Sequence, residues 1–323
     1  MKTSFFLMSL FLLNTVSAQT HVNYPHQQVR VSDHSQKPTG FWLFEPTAPV
    51  PDAAKVIVLL HGYGGYNPMI YGSWIKHLVL QGNTVIFPRY QRNMVFPRPS
   101  RFVKNTAKGI QQALQLLATE GHVPPLRGAE PIHYIGHSYG GVIASNLAVH
   151  SDQWSLPKPA GIFLIAPGSG PFKGAVLEDY DSLSDSLKML IVTHQNDWVV
   201  GSMLGERIFN ESSPLMDKYL FDHRAFSSGG DTIWAHHNEA YALDLEFDAG
   251  IRNYTARRAL QIGRTDAVNY NFLWPLFDRL MRATEKEETV FSDLRQKNGK
   301  FYFPFVLKKD SPVQWIEVRR PFN

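Results

Sequence analysis

One short glycine-rich segment carries the residue types that suit nucleophilic catalysis. Gly136, Ser138 and Gly140 match the spacing G-x-S-x-G. Apolar residues ending at Ile135 predict a strand before this segment, and those from Val142 predict a helix after it. A serine in such a strand–turn–helix stands above the carboxyl edge of a sheet, where α/β proteins bind ligands. The pattern therefore predicts Ser138 as a nucleophile.

A serine hydroxyl needs a base to remove its proton, and the base needs an acid to orient it. In this motif context the acid and then the base follow the serine along the chain. Asp197 comes shortly after the apolar run 189–192, at the end of a predicted strand, and is the predicted acid. Asp217 and Asp222 lie in a polar stretch without a continuous apolar run of this kind before them.

Two adjacent histidines, His236 and His237, lie beyond a further predicted strand at 218–221 and compete for the role of base. Because neighbouring side chains point in different directions, we expect only one of them to reach Ser138. The residues themselves leave this choice open. A metal site built from both histidines and Asp231 is disfavoured, because the histidines lack the i, i+4 spacing of a zinc-binding helix.

The tetrahedral intermediate of acyl transfer needs two preorganised N–H donors. One is predicted to be the backbone amide of Tyr139, the residue after the nucleophile. The other is predicted on the loop 61–65, which follows the apolar run 56–60, and is assigned to Tyr63. His61 precedes the nucleophile and is interpreted as a hydrogen-bonding residue that shapes this loop.

The elements that must position these residues alternate along the chain. Continuous apolar runs of four or five residues predict strands buried on both faces of a parallel sheet, and they occur at 56–60, 84–87, 132–135, 161–165 and 189–192. A helical apolar face over 100–117 lies between two of them. Alternating strands and helices predict an α/β fold.

Both ends of the chain lack the regular alternation of apolar strands and helices. The segments 28–32 and 40–44 predict an antiparallel hairpin or a pair of edge strands, and 301–306 with 314–318 predict a terminal hairpin. Residues 271–282 have a helical apolar face.

Taken together and in order, His61-Gly62-Tyr63-Gly64, the glycine-rich segment around Ser138, and Asp197 with Val199 and Val200 resemble the α/β-hydrolase superfamily over roughly residues 40 to 245. The resemblance implies an α/β-hydrolase fold, with a mostly parallel central sheet and helices on both faces. Only about two dozen residues separate the strands ending at 165 and starting near 189, so no large lid is expected. The site would then be open, as in esterases of the dienelactone-hydrolase and polyester-hydrolase type.

The same resemblance implies a catalytic histidine at the end of an Ala-x-His triplet. Ala235-His236-His237 matches it with His237 in the last place, which favours His237 as the base and leaves His236 as the alternative. It also implies a serine carboxylesterase or lipase-like hydrolase that needs no cofactor. We expect an acyl-enzyme on Ser138 formed from a small-molecule or lipid-like ester. The alternatives are an acyltransferase or thioesterase with the same triad, or an inactive binding protein.

The first residues predict export. Lys2, an apolar stretch at 5–13 and a small-residue site ending at Ala18 are typical of a signal peptide, residues 1–18. We expect a secreted or periplasmic protein, with 19–323 forming one α/β-hydrolase domain that has a C-terminal extension from about residue 250.

Composition excludes several other classes. The chain of 323 residues has no cysteine, which rules out disulfides and a thiolate nucleophile. Its 32 basic and 28 acidic residues are mostly scattered, so nucleic-acid binding is not expected. No later segment has the 18 consecutive apolar residues of a stable membrane span. The oligomeric state is not predicted.

Overall fold

The structure is a computed structural model that describes residues 23–126, 132–228, 231–308 and 311–321. The predicted signal peptide lies outside the described residues, and so does the side chain of Asp231. The strands of the main sheet are β1 (Gln28–Asp33), β2 (Phe41–Thr47), β3 (Val56–Leu60), β4 (Thr84–Pro88), β5 (His133–His137), β6 (Gly161–Ile165), β7 (Lys188–His194), β8 (Lys218–His223), β11 (Arg295–Lys297), β12 (Lys300–Phe305) and β13 (Gln314–Arg319). A separate hairpin is formed by β9 (Phe226–Ser228) and β10 (Asp231–Ile233).

Within the described residues, the main sheet has eleven strands in the order β1-β2-β4-β3-β5-β6-β7-β8-β13-β12-β11. The six strands from β4 to β8 in this order are parallel. The outer strands, β1 and β2 at one edge and β11 to β13 at the other, pair in antiparallel register. The sheet is therefore mixed.

The predicted α/β-hydrolase fold with a mostly parallel central sheet is wrong. Five of the ten strand pairings are antiparallel, and the sheet is wider than the apolar runs indicated. The prediction rested on continuous apolar runs, which mark strands buried on both faces. The outer strands β1 and β11 to β13 are largely exposed or half-buried and therefore have no continuous apolar run. For that reason the prediction did not include them in the central sheet.

The hairpins themselves were predicted correctly. β1 pairs with β2 in antiparallel register, and β12 pairs with β13 in the same way. What the sequence did not indicate is their attachment: β2 hydrogen-bonds to β4, and β13 to β8. The residues after about 250 thus supply three strands to the same sheet.

Six α-helices lie in the described residues, and they are α1 (Gly72–Leu80), α2 (Phe102–Leu117), α3 (Tyr139–Val149), α4 (Met203–Glu211), α5 (Tyr254–Ile262) and α6 (Trp274–Glu285). Alternate residues of the central strands face two separate cores. Ile57 and Leu59 pack with α1, α5 and α6, whereas Val58 and Leu60 pack with α2, α3 and α4. A π-helical turn at Asn269–Leu273 leads into α6, which packs on β6 and β7 as the apolar face of 271–282 predicted.

Within the described residues, no helix combines the length and the apolar composition that crossing a bilayer requires. The segment between β6 and β7 contains no helix or strand.

Candidate active site

The carboxyl ends of the central parallel strands meet at one edge of the sheet and bring the predicted site residues together. Ser138 follows β5, Asp197 follows β7, and Tyr63 follows β3. His237 follows the β9–β10 hairpin and is held to the loop after β7, where Asn196 pairs with His236 in a parallel bridge.

Ser138 occupies a strained turn between β5 and α3. Its φ of 55° and ψ of −122° are unusual for a residue with a side chain. The neighbouring glycines permit this turn: a Cβ on Gly136 would lie 2.6 Å from the carbonyl oxygen of Gly140, and one on Gly140 would lie 2.0 Å from that of Leu60. The Ser138 amide donates to the carbonyl of Ile165 at 2.9 Å, which anchors the turn to β6.

Ser138, His237 and Asp197 form one chain of hydrogen bonds. His237 Nε2 lies 2.9 Å from Ser138 Oγ, and His237 Nδ1 lies 2.7 Å from Asp197 Oδ2. Since a carboxylate only accepts, Nδ1 carries the proton and Nε2 accepts from the serine hydroxyl. All three residues are buried. This is the geometry that a serine nucleophile with its base and orienting acid requires.

The Asp197 carboxylate is held in its ionised form. Burial raises the pKa of this carboxyl, but the hydrogen bond and charge of His237 and the backbone amides of Val199 and Val200 outweigh that effect. Both amides donate to Asp197 Oδ1, at 2.9 and 3.0 Å. The pKa of Asp197 therefore lies below its ordinary value.

The alternative base, His236, points elsewhere. Its side chain is 42% exposed, and its Nδ1 lies 3.4 Å from Glu239 Oε1. The His236 amide also donates to that oxygen, at 3.0 Å. Among the described residues it makes no hydrogen bond to Ser138 or Asp197, so the structure places His237, and not His236, beside the serine.

The residues that carry the two predicted oxyanion donors adjoin the serine: Tyr139 follows it in the chain, and Tyr63 follows Gly62, which contacts it. Gly62 packs against Ser138, because a Cβ on Gly62 would lie 3.2 Å from Ser138 Cβ. The amides on either side of Tyr63 are already occupied: Gly62 N donates to Tyr71 Oη and Gly64 N to Gln91 Oε1.

Within the described residues, the amides of Tyr63 and Tyr139 have no acceptor, and Tyr139 begins α3, where the helix dipole favours negative charge. Neither amide is therefore committed to another group, as an oxyanion donor requires.

Sequence reasoning missed a buried network behind the site. Tyr71 Oη accepts from Gly62 N at 3.0 Å and lies 2.8 Å from His137 Nδ1, while His137 Nε2 lies 2.9 Å from the carbonyl oxygen of His237. A carbonyl only accepts, so His137 Nε2–H donates to it and His137 Nδ1 accepts from the Tyr71 hydroxyl. Burial lowers the pKa of His137 to about 3, which keeps the ring neutral as this arrangement needs.

This network joins the loop that carries Tyr63 to the backbone of the base. His137 is the first of the two variable positions of the G-x-S-x-G pattern, and a histidine there could have raised the question of a partner. Tyr71 had no signal in the sequence, because it meets His137 only through the packing of the β3–α1 connection against β5.

His61 behaves as a loop-shaping residue. Its ring is buried and stacked on Tyr90 at 4.0 Å, with Nδ1 2.7 Å from the carbonyl oxygen of Gly62 and Nε2 3.0 Å from that of Arg89. Burial lowers its pKa to about 4. Within the described residues, no group of three or more histidine, aspartate or glutamate side chains could hold a metal ion.

No protein-family model matches this sequence, and no curated protein matches it either.

Proposed function

We propose that this protein is a serine hydrolase that cleaves a carboxylic ester through an acyl-enzyme on Ser138. The observation that carries the proposal is the continuous hydrogen-bond chain Ser138–His237–Asp197. The resemblance of the motifs to those of serine esterases supports an ester as the substrate.

In the first step, His237 Nε2 takes the proton of Ser138 as Oγ bonds to the ester carbonyl carbon. The carbonyl oxygen becomes an oxyanion, which accepts hydrogen bonds from the amides of Tyr63 and Tyr139. Asp197 stabilises the imidazolium that forms. The C–O bond to the alcohol then breaks, and the leaving oxygen takes the proton from His237.

In the second step, His237 takes a proton from water, whose oxygen bonds to the acyl carbon. A second oxyanion forms at the same amides, the Ser138 ester bond breaks, and Oγ regains a proton from His237. No step needs a group other than these residues and water. An alcohol or thiol in place of water would make the protein an acyltransferase instead.

Two exposed tryptophans near the acid and the base in the chain favour an apolar substrate. Trp198 directly follows Asp197, Trp234 lies three residues before His237, and their side chains are 88% and 64% exposed. Their loops are tied together, because Asn196 Nδ2 donates to the carbonyl of Trp234 at 2.8 Å. These side chains would cover an apolar acyl or alcohol group.

Labelling with a fluorophosphonate tests the nucleophile directly. We expect one label on Ser138, lost in Ser138→Ala, and hydrolysis of p-nitrophenyl esters of graded chain length to identify the acyl preference. A protein that is neither labelled nor active, but binds esters, would be an inactive binding protein. Labelling with acyl transfer to an added alcohol in preference to water would indicate an acyltransferase, and faster turnover of thioesters would indicate a thioesterase.

The proposal includes export to the periplasm or the outside of the cell. N-terminal sequencing of the exported protein should find Gln19 as the first residue. A chain that begins at Met1 would contradict cleavage.

A further inference from the structure

The most exposed apolar side chains are concentrated at the edge of the sheet that carries Ser138. Exposing so many large apolar groups in one region is unfavourable unless they are covered in use. Six of them lie in segments that follow β4, β7 or β8, and their exposures are Val95 77%, Phe96 73%, Trp198 88%, Val199 64%, Met203 80% and Trp234 64%. In strand order these segments lie on both sides of β5.

The segment after β4 combines this apolar exposure with positive charge. The exposed Arg92 precedes Val95 and Phe96 in the chain, and the exposed Arg98 and Arg101 follow them. Between Asp52 and Glu120 the chain has eight lysines and arginines and no aspartate or glutamate. We call residues 92–104, which end with the exposed Lys104, the basic apolar loop.

Helix stability does not account for these charges. Arg101 and Lys104 lie at the N-terminus of α2, whose first turn has no acidic residue. The helix dipole makes cations unfavourable there. In the described part of the chain, no carboxylate lies within ion-pair distance of Arg92, Arg98, Arg101 or Lys104. Cations that destabilise their own helix and have no internal partner are suited to an anionic partner outside the molecule.

The basic apolar loop is joined to the candidate active site. Tyr63 Oη donates to the carbonyl oxygen of Met94 at 2.9 Å, and the Tyr63 ring stacks on Phe172 with centroids 4.7 Å apart. Asn93 Oδ1 accepts from the amides of Val95 and Phe96, which holds both side chains outward. A surface that contacts Val95 and Phe96 therefore lies beside the residue that carries an oxyanion donor.

We propose that the basic apolar loop docks this protein on an anionic lipid surface, and that Ser138 acts on apolar esters held in that surface. The second half rests on the proposed function, whereas the docking does not. Phe96 and Val95 enter the acyl boundary, and the arginines contact lipid phosphates. A nucleic acid would use the same charges, but it has no use for exposed aliphatic and aromatic side chains without ring-stacking partners in a groove.

Vesicle flotation tests the docking, with the full protein mixed with vesicles of phosphatidylcholine alone or of equal parts phosphatidylcholine and phosphatidylglycerol. We expect binding to the anionic vesicles only, weakened by salt. Arg98→Gln should reduce binding about fivefold, the effect of one cation at an anionic leaflet. Phe96→Ser should reduce it about tenfold through lost apolar burial.

Two matched variants at the opposite edge of the sheet serve as controls. Leu215→Ser removes an apolar side chain that is 80% exposed, and Lys158→Gln removes a cation whose side chain is 69% exposed. Neither should change vesicle binding. Circular dichroism melts of all four variants check that each is folded. Equal binding to both kinds of vesicle, or equal effects of the loop and control variants, would overturn the docking proposal.

A second pair of measurements separates the docking from the proposed chemistry. Ser138→Ala should bind anionic vesicles as the parent does. The parent should hydrolyse p-nitrophenyl palmitate in those vesicles, and Phe96→Ser should lower that rate relative to its rate on p-nitrophenyl acetate in solution. Hydrolysis of the acetate without vesicle binding would refute docking and leave the hydrolase proposal standing. Vesicle binding without hydrolysis of either ester would do the reverse, and binding to heparin but not to vesicles would identify another polyanion as the partner.

Discussion

Two buried histidine pairs lie at the same edge of the sheet and differ in what their rings contact. The rings of His137 and His237 are 5.0 Å apart between centroids, and those of His194 and His223 are 5.1 Å apart. In the first pair every ring nitrogen has a defined partner. In the second, the two Nδ1 atoms lie 3.0 Å from each other, and both Nε2 atoms are buried without a partner in the described structure.

The difference indicates that the partners of the ring nitrogens, and not burial alone, distinguish the proposed base from a structural histidine. His237 has a carboxylate beside Nδ1 and a hydroxyl beside Nε2. The carboxylate fixes the tautomer, and the hydroxyl is the group whose proton Nε2 would take. His194 and His223 have neither, and burial lowers the pKa of both. We therefore expect the first pair to control turnover and the second to affect only stability.

The largest effect on turnover is expected from removing the Ser138 hydroxyl, which His237 contacts in the first pair. Ser138→Ala should lower kcat by about three decades or more and leave the fold intact, since only the amides and substrate binding remain. Steady-state kinetics on a p-nitrophenyl ester measures it, with Ser145→Ala, a buried serine of α3, as the control. Near-normal turnover in Ser138→Ala would contradict the assignment of Ser138 as the nucleophile, and with it the proposed active site.

The next comparison is between the adjacent histidines. His237→Ala should lower kcat by about three decades with a modest change in KM, because the base acts in the transition state. His236→Ala should stay within a few-fold of the parent, since its ring faces Glu239. The reverse result would move the base by one residue, and two active variants would mean that the base lies elsewhere.

A smaller effect is expected from the network behind the site. Tyr71→Phe removes the hydroxyl that accepts from Gly62 N and donates to His137 Nδ1. Loosening the loop that carries Tyr63 should lower kcat about tenfold with little change in KM, because an oxyanion donor acts mainly in the transition state. Tyr90→Phe, which removes a hydroxyl bonded to the His61 carbonyl, is the matched control and should lose less. Equal losses would assign Tyr71 a merely structural role.

The smallest effect on activity is expected at the second histidine pair. His223→Phe replaces a ring that already packs against Phe272 and Phe305, and kcat should change by no more than about twofold. The expected effect of this variant is on the pH dependence of the unfolding free energy. Burial lowers the pKa of His223 from 6.5 to about 3, so the unfolded chain takes up a proton first as the pH falls. Stability from this residue is full above pH 6.5 and is lost on acidification towards pH 3.

Urea unfolding at several pH values checks this. His223→Phe should flatten the dependence of the unfolding free energy on pH by about 1 kcal/mol per pH unit in that window. An unchanged slope would show that His223 does not titrate on unfolding, and a large loss of turnover would show that the second pair takes part in the chemistry.

The residues around Ser138 show how far local sequence reaches. The strand, tight turn and helix there follow from apolar runs and glycines close together in the chain. The positions of Ser138 and Asp197 after strands, and of His237 on a later loop, were therefore predictable. The chemical roles of these residues stay predictions until they are tested. The choice between His236 and His237 was an analogy in the sequence, because it depends on side-chain direction on a loop.

By itself, the sequence determined the central strands, the terminal hairpins and the candidates for nucleophile, acid and base, because each depends on periodicity or on residues near one another. Only the tertiary structure decided the mixed sheet, since the attachment of β13 to β8 joins segments nearly a hundred residues apart and no apolar run marks it. It also decided the contact of Tyr71 with His137. Both are set by which surfaces pack together, a property that no local pattern of residues contains.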